Sequence, residues 1–151
     1  MTLIKQVNAS AILTVRQAVL RQGLPIEASI FDKDEDQHTA HFGAFIEDNV
    51  VGCATLVHNP NARFTPEYTH TAQLRGMAVL PEYRSSGIGR RLLRAAETKA
   101  KEDGIEVLWF NARIKAVPFY EKNGYIKEGE AYEIEGVGTH YFMFKLLSSH
   151  E

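Results

Sequence analysis

Hydrophobic and polar positions follow two different periods along the chain, and the changes of period mark its elements. Apolar runs and period-two alternation predict strands near 3–7, 39–47, 50–58, 70–80, 105–110, 125–135 and 139–147. Apolar residues three and four apart predict helices over about 10–22, 87–102 and 118–122. The order β-α-ββ-β-α-β-α-β-β predicts an α/β fold with a mixed central sheet flanked by helices, rather than a doubly wound parallel sheet.

Local signals place several of the element ends. Ser10 is a candidate N-cap for the first helix, and Asp48-Asn49 is a two-residue hairpin signal between the second and third strands. Gly104 follows the second helix as a C-terminal stop. That helix carries one apolar stripe, formed by Ile88, Leu92, Leu93, Ala96 and Ala100. No repeat, low-complexity segment or linker interrupts the chain, so we expect a single domain over 1–151.

Composition narrows the classes of function. The chain is 44% hydrophobic and 24% charged with a formal net charge of -2, which gives no global case for nucleic-acid or membrane binding. No apolar run approaches the ~18 residues of a membrane span, and the N-terminus lacks a signal-peptide pattern, so we expect a cytoplasmic protein. The one cysteine, Cys53, lies in an apolar run and is expected to be a small buried residue rather than a nucleophile.

The segment Arg84-Ser85-Ser86-Gly87-Ile88-Gly89-Arg90 lies between a predicted strand and a predicted helix. The first turn of a helix leaves about four N–H groups without internal partners, and their aligned dipoles favour an anion. Glycines leave the backbone bare, and arginines suit bidentate phosphate contacts. The segment therefore favours a phosphate or pyrophosphate site, while a loop that only needs two flexible residues remains the alternative. It is neither GxGxxG nor GxxxxGK[ST].

Two motifs carry a resemblance to a known family. The pattern R-x-x-G-x-G at Arg84–Gly89 follows the strand ending in MAVLPEY, and AVPFYEKNGY at Ala116–Tyr125 contains F-Y-x-x-x-G-Y. Together they resemble motifs A and B of the GNAT superfamily of acyl-CoA-dependent N-acyltransferases. The likeness covers residues 70 to 147, and the earlier element order agrees with it. It implies the mixed, mostly antiparallel sheet of that fold.

The resemblance implies acetyl-CoA as the acyl donor. No metal is expected, because the six histidines show no metal-ligand spacing and the chain has no cysteine cluster. The backbone amides of the glycine turn are expected to bind the pyrophosphate, and the strand edge at 77–79 is expected to pair with the pantetheine and polarise the thioester. A bulge at Gly76 would open a slot for that arm. The residues expected to bind the coenzyme are Met77, Ala78, Val79, Arg84, Ser85, Ser86, Gly87, Ile88, Gly89, Arg90, Asn111 and Tyr120. Arg91 and Arg94 are candidates for the adenine-side phosphate or a solvated helix face.

The reaction needs a proton donor for the thiolate and a proton acceptor for the amine. Tyr120 matches the family tyrosine that points at the coenzyme sulfur, and a phenol with a pKa near 10 can donate to an alkyl thiolate. Asn111 is expected to close its strand and to orient a water or the pantetheine. Where some relatives have a glutamate on the fourth strand, this chain has Gln73. His140 is the first candidate base; the others are His41, His70 and Glu27.

The acceptor is expected to be a primary amine of a small molecule or peptide. By the resemblance it binds along residues 20–38, Arg63 to His70 and 130–140. Acidic residues in these segments, among them Asp32, Asp34 and Asp36, favour either a cationic amine or simply solvated loops. A non-catalytic acyl-CoA-binding module and a nucleotide-binding α/β protein are the alternative functions. A homodimer is left open.

Overall fold

The computed structural model describes residues 1–64 and 67–147, and its elements follow the predicted order. The strands are β1 (Thr2–Val7), β2 (Ala40–Ile46), β3 (Asn49–Val57), β4 (Thr71–Val79), β5 (Val107–Arg113), β6 (Ile126–Ile134) and β7 (Gly138–Leu146). The helices are α1 (Leu13–Leu20), α2 (Ile88–Glu102) and α3 (Val117–Lys122). Among the described residues, none of these helices is both long and apolar enough to cross a membrane.

The strands form a seven-stranded sheet in the order β1-β2-β3-β4-β5-β7-β6. The pairs β1–β2, β2–β3, β5–β7 and β6–β7 are antiparallel, and β4 runs parallel to β5 where Thr71–Gln73 faces Val107–Trp109. The predicted α/β fold with a mixed, mostly antiparallel sheet and helices is therefore confirmed.

The chain divides into two compact units. The first unit holds Met1–His58 and Leu74–Lys99, and the second holds the described residues of Asn59–Gln73 and Ala100–Glu151. The division falls inside β4 and inside α2, because one strand and one helix contribute residues to both. The expectation of one domain over 1–151 stays a prediction, and it extends to residues 65–66 and 148–151, which lie outside the described part of the chain.

Helix α2 is held by the apolar stripe that its periodicity predicts. Ile88, Leu92, Leu93 and Ala96 are each at most 3% exposed. A Cβ built on Gly52 of β3 would lie 3.1 Å from a methyl of Leu92 and 3.3 Å from one of Ile88. The small residue on the strand therefore lets the first turns of α2 pack close to the sheet, which fixes the position of the turn before it.

Three local predictions are wrong, each for a physical reason. Ser10 is not a helix cap, because Ala9–Ile12 form a 3₁₀ turn and α1 begins only at Leu13. The hairpin turn is Glu47-Asp48, both with positive φ (50° and 71°), because Asn49 already pairs with Ile46. Asn111 does not close β5, since pairing with β7 continues to Arg113.

Candidate active site

The turn from Arg84 to Arg90 joins β4 to α2 and leaves backbone donors facing open space. Ser85 and Gly87 have left-handed φ angles of 67° and 85°, and a Cβ built on Gly87 would meet nothing within 4 Å. Gly87 can hold this conformation without strain because it has no side chain. The first helical bond runs from Arg91 N to Gly87 O at 3.1 Å. The preceding amides of α2 therefore remain donors without intrahelical acceptors.

The polar side chains of this turn mostly donate hydrogen bonds to nearby backbone carbonyls and so stabilise the loop. Arg84 Nε donates to the carbonyl of Val79 at 2.9 Å, and the Ser86 hydroxyl donates to the carbonyl of Tyr83. Ile88 as a whole is 3% exposed, so its side chain is buried in the core. An anion at this turn would thus meet mainly backbone N–H groups, together with whatever arginine donors the loop leaves unused.

An open groove of about 540 Å³ lies beside the amino end of α2. Its lining residues are Ile4, Ser86, Gly87, Arg90, Arg91, Arg94, Ala95 and Thr98. Arg91 donates to the carbonyl of Thr2 at 3.0 Å, and Arg94 pairs with Glu97 at 2.8 Å. The side chain of Arg90 is exposed and makes no ion pair or hydrogen bond within the described part of the chain. Of the three arginines, Arg90 is therefore the cation that is best placed to meet an anion.

The end of β4 departs from a regular strand at Gly76, whose φ is 67°. This conformation fits the bulge expected there. The Ala78 side chain is buried, whereas Met77 and Val79 are partly exposed on the other face of the strand. Cys53 Sγ donates to the carbonyl of Gly76 at 3.2 Å, and burial raises the pKa of this thiol to about 12. Cys53 is thus the small buried residue that the sequence predicts, and it is no nucleophile.

Tyr120 lies on α3 and is 6% exposed. Its ring contacts those of Phe110, with centroids 4.2 Å apart, and Phe119, at 5.1 Å. Burial raises the pKa of the phenol above its ordinary value of 10.0. The hydroxyl is therefore fully protonated at neutral pH, which is the form that a proton donor needs.

Asn111 and Tyr132 form a polar pair in the second unit. The two residues lie on β5 and β6, on either side of β7, and the Tyr132 hydroxyl donates to Asn111 Oδ1. A register shift between Glu128 and Tyr132 brings Tyr132 opposite His140. Burial raises the pKa of Tyr132, while the charge of Arg63 lowers it. Because its oxygen is occupied, Asn111 keeps its amide N–H groups as donors.

Tyr132 is the polar residue of this pair that sequence reasoning missed. Its only local signal is Gly129, which marks an irregularity within β6 and has a φ of 82°. The direction of the tyrosine depends on the register shift that follows this glycine. A register shift of that kind is set by pairing with β7, which the sequence does not show.

His140 is 3% exposed, and its Nδ1 lies 2.8 Å from the carbonyl of Gly138. Since a carbonyl only accepts, Nδ1 carries the proton and Nε2 has the free lone pair of the neutral ring. The ring stacks on Tyr132 with centroids 6.3 Å apart. His140 therefore has the tautomer that a base requires, and it is buried.

The other candidate bases are His41, His70 and Glu27, and Gln73 stands where some relatives have a glutamate. His41 is 4% exposed with Nδ1 2.9 Å from Thr55 Oγ1 and Nε2 2.9 Å from the carbonyl of Asp34, so both ring nitrogens are engaged. Gln73 accepts a hydrogen bond from Asn59 Nδ2 at 2.8 Å. His70 and Glu27 are exposed. These contacts make His41 a structural residue of the first unit.

Asp34 is not a free surface acid. Arg16, which is 0% exposed, donates to Asp34 Oδ2 at 2.7 Å and to Oδ1 at 3.1 Å. Burial alone would raise the pKa of Asp34, but the hydrogen bonds from Arg16 and the Phe31 amide, with the charges of Arg16 and His41, outweigh it and lower that pKa. The acidic loop therefore contributes less negative charge to its surface than its composition implies. Within the described residues, no three histidine, cysteine or acidic side chains cluster as a metal site would require.

Comparison with known proteins gives consistent results. A family model described as "Acetyltransferase (GNAT) family" matches residues 12–125. An uncharacterised N-acetyltransferase of Bacillus subtilis, YitI, is 30% identical over 144 residues, which is 95% of each chain. The ribosomal-protein-S18-alanine N-acetyltransferase of Escherichia coli shares the fold, with a TM-score of 0.75 and 19% identity over 100% of this chain and 97% of that one. An aminoglycoside 6'-N-acetyltransferase complexed with coenzyme A has a TM-score of 0.76 and 14% identity, covering 99% of both chains.

Proposed function

Because the chain belongs to the GNAT family of acetyltransferases, we propose that it transfers the acetyl group of acetyl-CoA to a primary amine of a small molecule or peptide. The amine attacks the thioester directly in a ternary complex. The observation that carries the proposal is the open turn at Ser85–Arg90, where the first amides of α2, those before Arg91, have no intrahelical acceptors. It supplies the pyrophosphate site that this chemistry requires.

The residues assigned to the pyrophosphate and to the strand edge for the pantetheine belong to the first unit. The amides of Gly87, Ile88, Gly89 and Arg90 hold the pyrophosphate, with Ser85 and Ser86 in the same turn. Arg84 keeps the guanidinium nitrogens beyond its Nε for a phosphate oxygen. The strand edge formed by Met77, Ala78 and Val79 pairs with the pantetheine arm and polarises the thioester carbonyl. The unpaired Arg90 adds a full positive charge beside the groove.

The chemical step replaces the C–S bond of the thioester by a C–N bond, while one proton leaves the amine nitrogen and one reaches the thiolate sulfur. The neutral amine nitrogen attacks the carbonyl carbon, a tetrahedral oxyanion forms, and the C–S bond then breaks to release a thiolate. Tyr120 donates its proton to that thiolate; burial makes the phenol a weaker acid, and a thiolate in an equally apolar environment is a correspondingly stronger base. Asn111 donates from its amide to the pantetheine or a water. His140 Nε2 takes the proton that the amine loses.

A second candidate function is a non-catalytic module that binds acyl-CoA. It is favoured by Gln73, which stands where some relatives have a glutamate and is hydrogen-bonded to Asn59. An amide in that place cannot accept a proton. Cytoplasmic location and the oligomeric state stay predictions under either function.

The release of free thiol from acetyl-CoA over a panel of amines separates the two functions. The panel holds amino acids, peptides, polyamines and aminoglycosides, and calorimetry with coenzyme A measures binding in parallel. Turnover on at least one amine supports the enzyme. Tight coenzyme binding without turnover on any amine supports the module, and no coenzyme binding contradicts both.

Tyr120→Phe tests the proton donor, with Tyr125→Phe as its matched control. Both tyrosines are buried and both rings contact Phe110, so each variant keeps its ring packing and loses only a hydroxyl. We expect Tyr120→Phe to lower kcat by about 100-fold with little change in acetyl-CoA affinity, and Tyr125→Phe to change kcat little. Equal rates for both variants at saturating substrate would remove the acid role from Tyr120.

A further inference from the structure

Three arginines of the first unit surround the ring of Phe31. The guanidinium carbons of Arg16, Arg21 and Arg75 lie 4.1, 4.8 and 6.0 Å from the ring centroid. Phe31 belongs to the segment between α1 and β2, and Arg75 belongs to β4. We call these four residues the Phe31 cluster. The face of a ring attracts cations. The N–H groups of a guanidinium lie in its own plane, so each arginine still needs hydrogen-bond acceptors besides the ring.

The arginines of the Phe31 cluster differ in how those donors are used. Arg16 bonds Asp34, the Thr55 hydroxyl and the carbonyl of Ser29. Arg21 donates to the carbonyl of Leu20 at 2.9 Å. Arg75 has two nitrogens, Nε and Nη2, that are buried without any hydrogen-bond partner in the described part of the chain. Burial lowers the pKa of Arg75, opposed by the charges of Asp34, Asp32 and Asp36.

Leaving donors of a charged group buried and unpaired is costly, because the group loses its hydrogen bonds to water and gains no acceptor. Few such groups occur in folded proteins, and each calls for a physical explanation. The fully buried Arg16 also has its Nε unpartnered. A Cβ built on Gly76 would lie 3.4 Å from Arg16 Nε and 3.4 Å from the edge of Phe31. The missing side chain of Gly76 thus leaves a small space bounded by an unused donor.

These observations fit an anionic group that comes from outside the chain. Arg75 as a whole is partly exposed while its unused Nε and Nη2 are buried, so an anion takes up these donors only when the guanidinium turns outward. A carboxylate matches the planar fork of the guanidinium through two parallel hydrogen bonds. The nearby Asp32 and Asp36 are exposed carboxylates, which disfavour a doubly charged phosphate and attract an ammonium group. The local charges therefore complement a zwitterion better than a polycation or a phosphate.

The place of Arg75 along β4 connects it to the reaction. Arg75 comes two residues before Met77, so the chain between them spans at most about 7 Å, with Gly76 between them. Met77 begins the strand edge to which thioester polarisation is assigned. A molecule held by its carboxylate at Arg75 would present an amine a few bonds away toward that edge.

We propose that the acceptor is an amino-carboxylate, a free amino acid or a molecule with the same grouping, and that Arg75 binds its carboxylate. The proposal rests on the proposed function for the transfer step, but carboxylate binding at Arg75 is measurable without turnover. It adds a carboxylate to the cationic amine that the acidic loop composition favours, because Arg75 has unused donors and Asp34 is bound by Arg16.

Matched ligands test the proposal. Each amino acid of the panel is compared with its carboxamide and with the amine that lacks the carboxylate, by calorimetric binding in the presence of coenzyme A and by acetylation rate. We expect the carboxylate to improve affinity or kcat/KM at least about tenfold, as a charged hydrogen-bonded pair does. Arg75→Gln and Arg75→Lys should both abolish that preference, since lysine keeps the charge but not the fork. Coenzyme affinity and Tm should stay near those of the wild type, which shows that the variants are folded.

Arg21→Gln is the matched control, because it removes an equal charge from the same ring while Arg21 already has an acceptor. It should leave the carboxylate preference intact. Equal use of carboxylates and carboxamides, or a preference that Arg75→Gln leaves unchanged, would overturn the inference while acetyl transfer stands. Carboxylate binding that depends on Arg75 in a protein that acetylates no amine would support the inference and contradict the enzyme.

Discussion

The turn from Arg84 to Arg90 and the Phe31 cluster both belong to the first unit and both hold arginines, but they present donors in opposite ways. At the turn, the donors are backbone amides at the open end of α2, and Arg90 is exposed. At the Phe31 cluster, the unused donors are buried guanidinium nitrogens of Arg16 and Arg75, and Arg16 also binds the buried carboxylate of Asp34.

Because of this difference, the two regions contribute to different free energies, the turn to ligand binding and the buried pair to folding. Exposed amides hydrogen-bond to water when no anion is bound, so their lack of a protein partner costs the folded state little free energy. Buried guanidinium groups have lost their water, so they stabilise the fold only when an acceptor replaces it. A change at the turn should therefore affect ligand binding, whereas a change at the Arg16–Asp34 pair should affect stability.

The largest expected effect is that of Asp34→Asn. It removes the charge that balances Arg16, whose side chain is 0% exposed, and it leaves an uncompensated buried cation. We expect the free energy of unfolding to fall by about 3–5 kcal/mol, measured by urea or thermal denaturation. Asp32→Asn is the control, because Asp32 is an exposed acid of the same loop and should change stability by less than about 0.5 kcal/mol. Equal losses for both variants would mean that the pair contributes no more than a surface charge.

The next largest effect should come from Gly89→Glu at the turn. A carboxylate there adds bulk and negative charge beside the expected pyrophosphate, and such like-charge contacts cost several kcal/mol. Calorimetry should show at least about a 100-fold loss of coenzyme A affinity, corresponding to about 2.7 kcal/mol. The fold should persist, since glutamate suits the first turn of a helix better than glycine does. Lys101→Glu, near the other end of α2, is the control; a loss of the same size there would point to net charge rather than to the turn.

Most of the fold is predictable because its strands and α2 depend on local periodicity. The stripe from Ile88 to Ala100 is buried as predicted, and Gly104 follows the helix end. The errors fall where pairing decides the boundary: Asn111 continues β5 because β7 extends past it, and Asn49 joins β3 because it pairs with Ile46. Local residue types do not specify these pairings.

The turn and the Phe31 cluster also differ in how far the sequence alone can predict them. The turn is contiguous, so its glycines and arginines indicate an anion site by their order along the chain alone. Arg16, Phe31 and Arg75 come from a helix, a loop and a strand, and only the fold brings them together. The acidic composition around Asp34 favours either a cationic amine or a solvated loop, and only the contact with Arg16 shows that Asp34 is neutralised. Distributed side-chain sites of this kind need tertiary information.

A smaller effect is expected from acid. The pKa of Asp34 lies below its ordinary value of 3.8, so the ionised form stabilises the folded state. That stabilisation is fully present above the ordinary value and is lost as pH falls through the lower, native pKa. The difference in unfolding free energy between the wild type and Asp34→Asn should therefore shrink as the pH falls from about 6 toward 3. A constant difference over this range would show that Asp34 gains nothing from its ionised form.

The smallest effect should be that of Arg90→Gln, which tests whether the turn depends on its backbone or on its side chains. Arg90 is exposed, so its charge is screened by water and salt, and we expect coenzyme A affinity to fall by about fivefold. The loss should decrease further at high ionic strength. Arg94→Gln is the comparison, because Arg94 is already paired with Glu97 and should matter less. A loss at Arg90 as large as that of Gly89→Glu would contradict the assignment of the pyrophosphate to backbone amides and would assign it to the arginine instead.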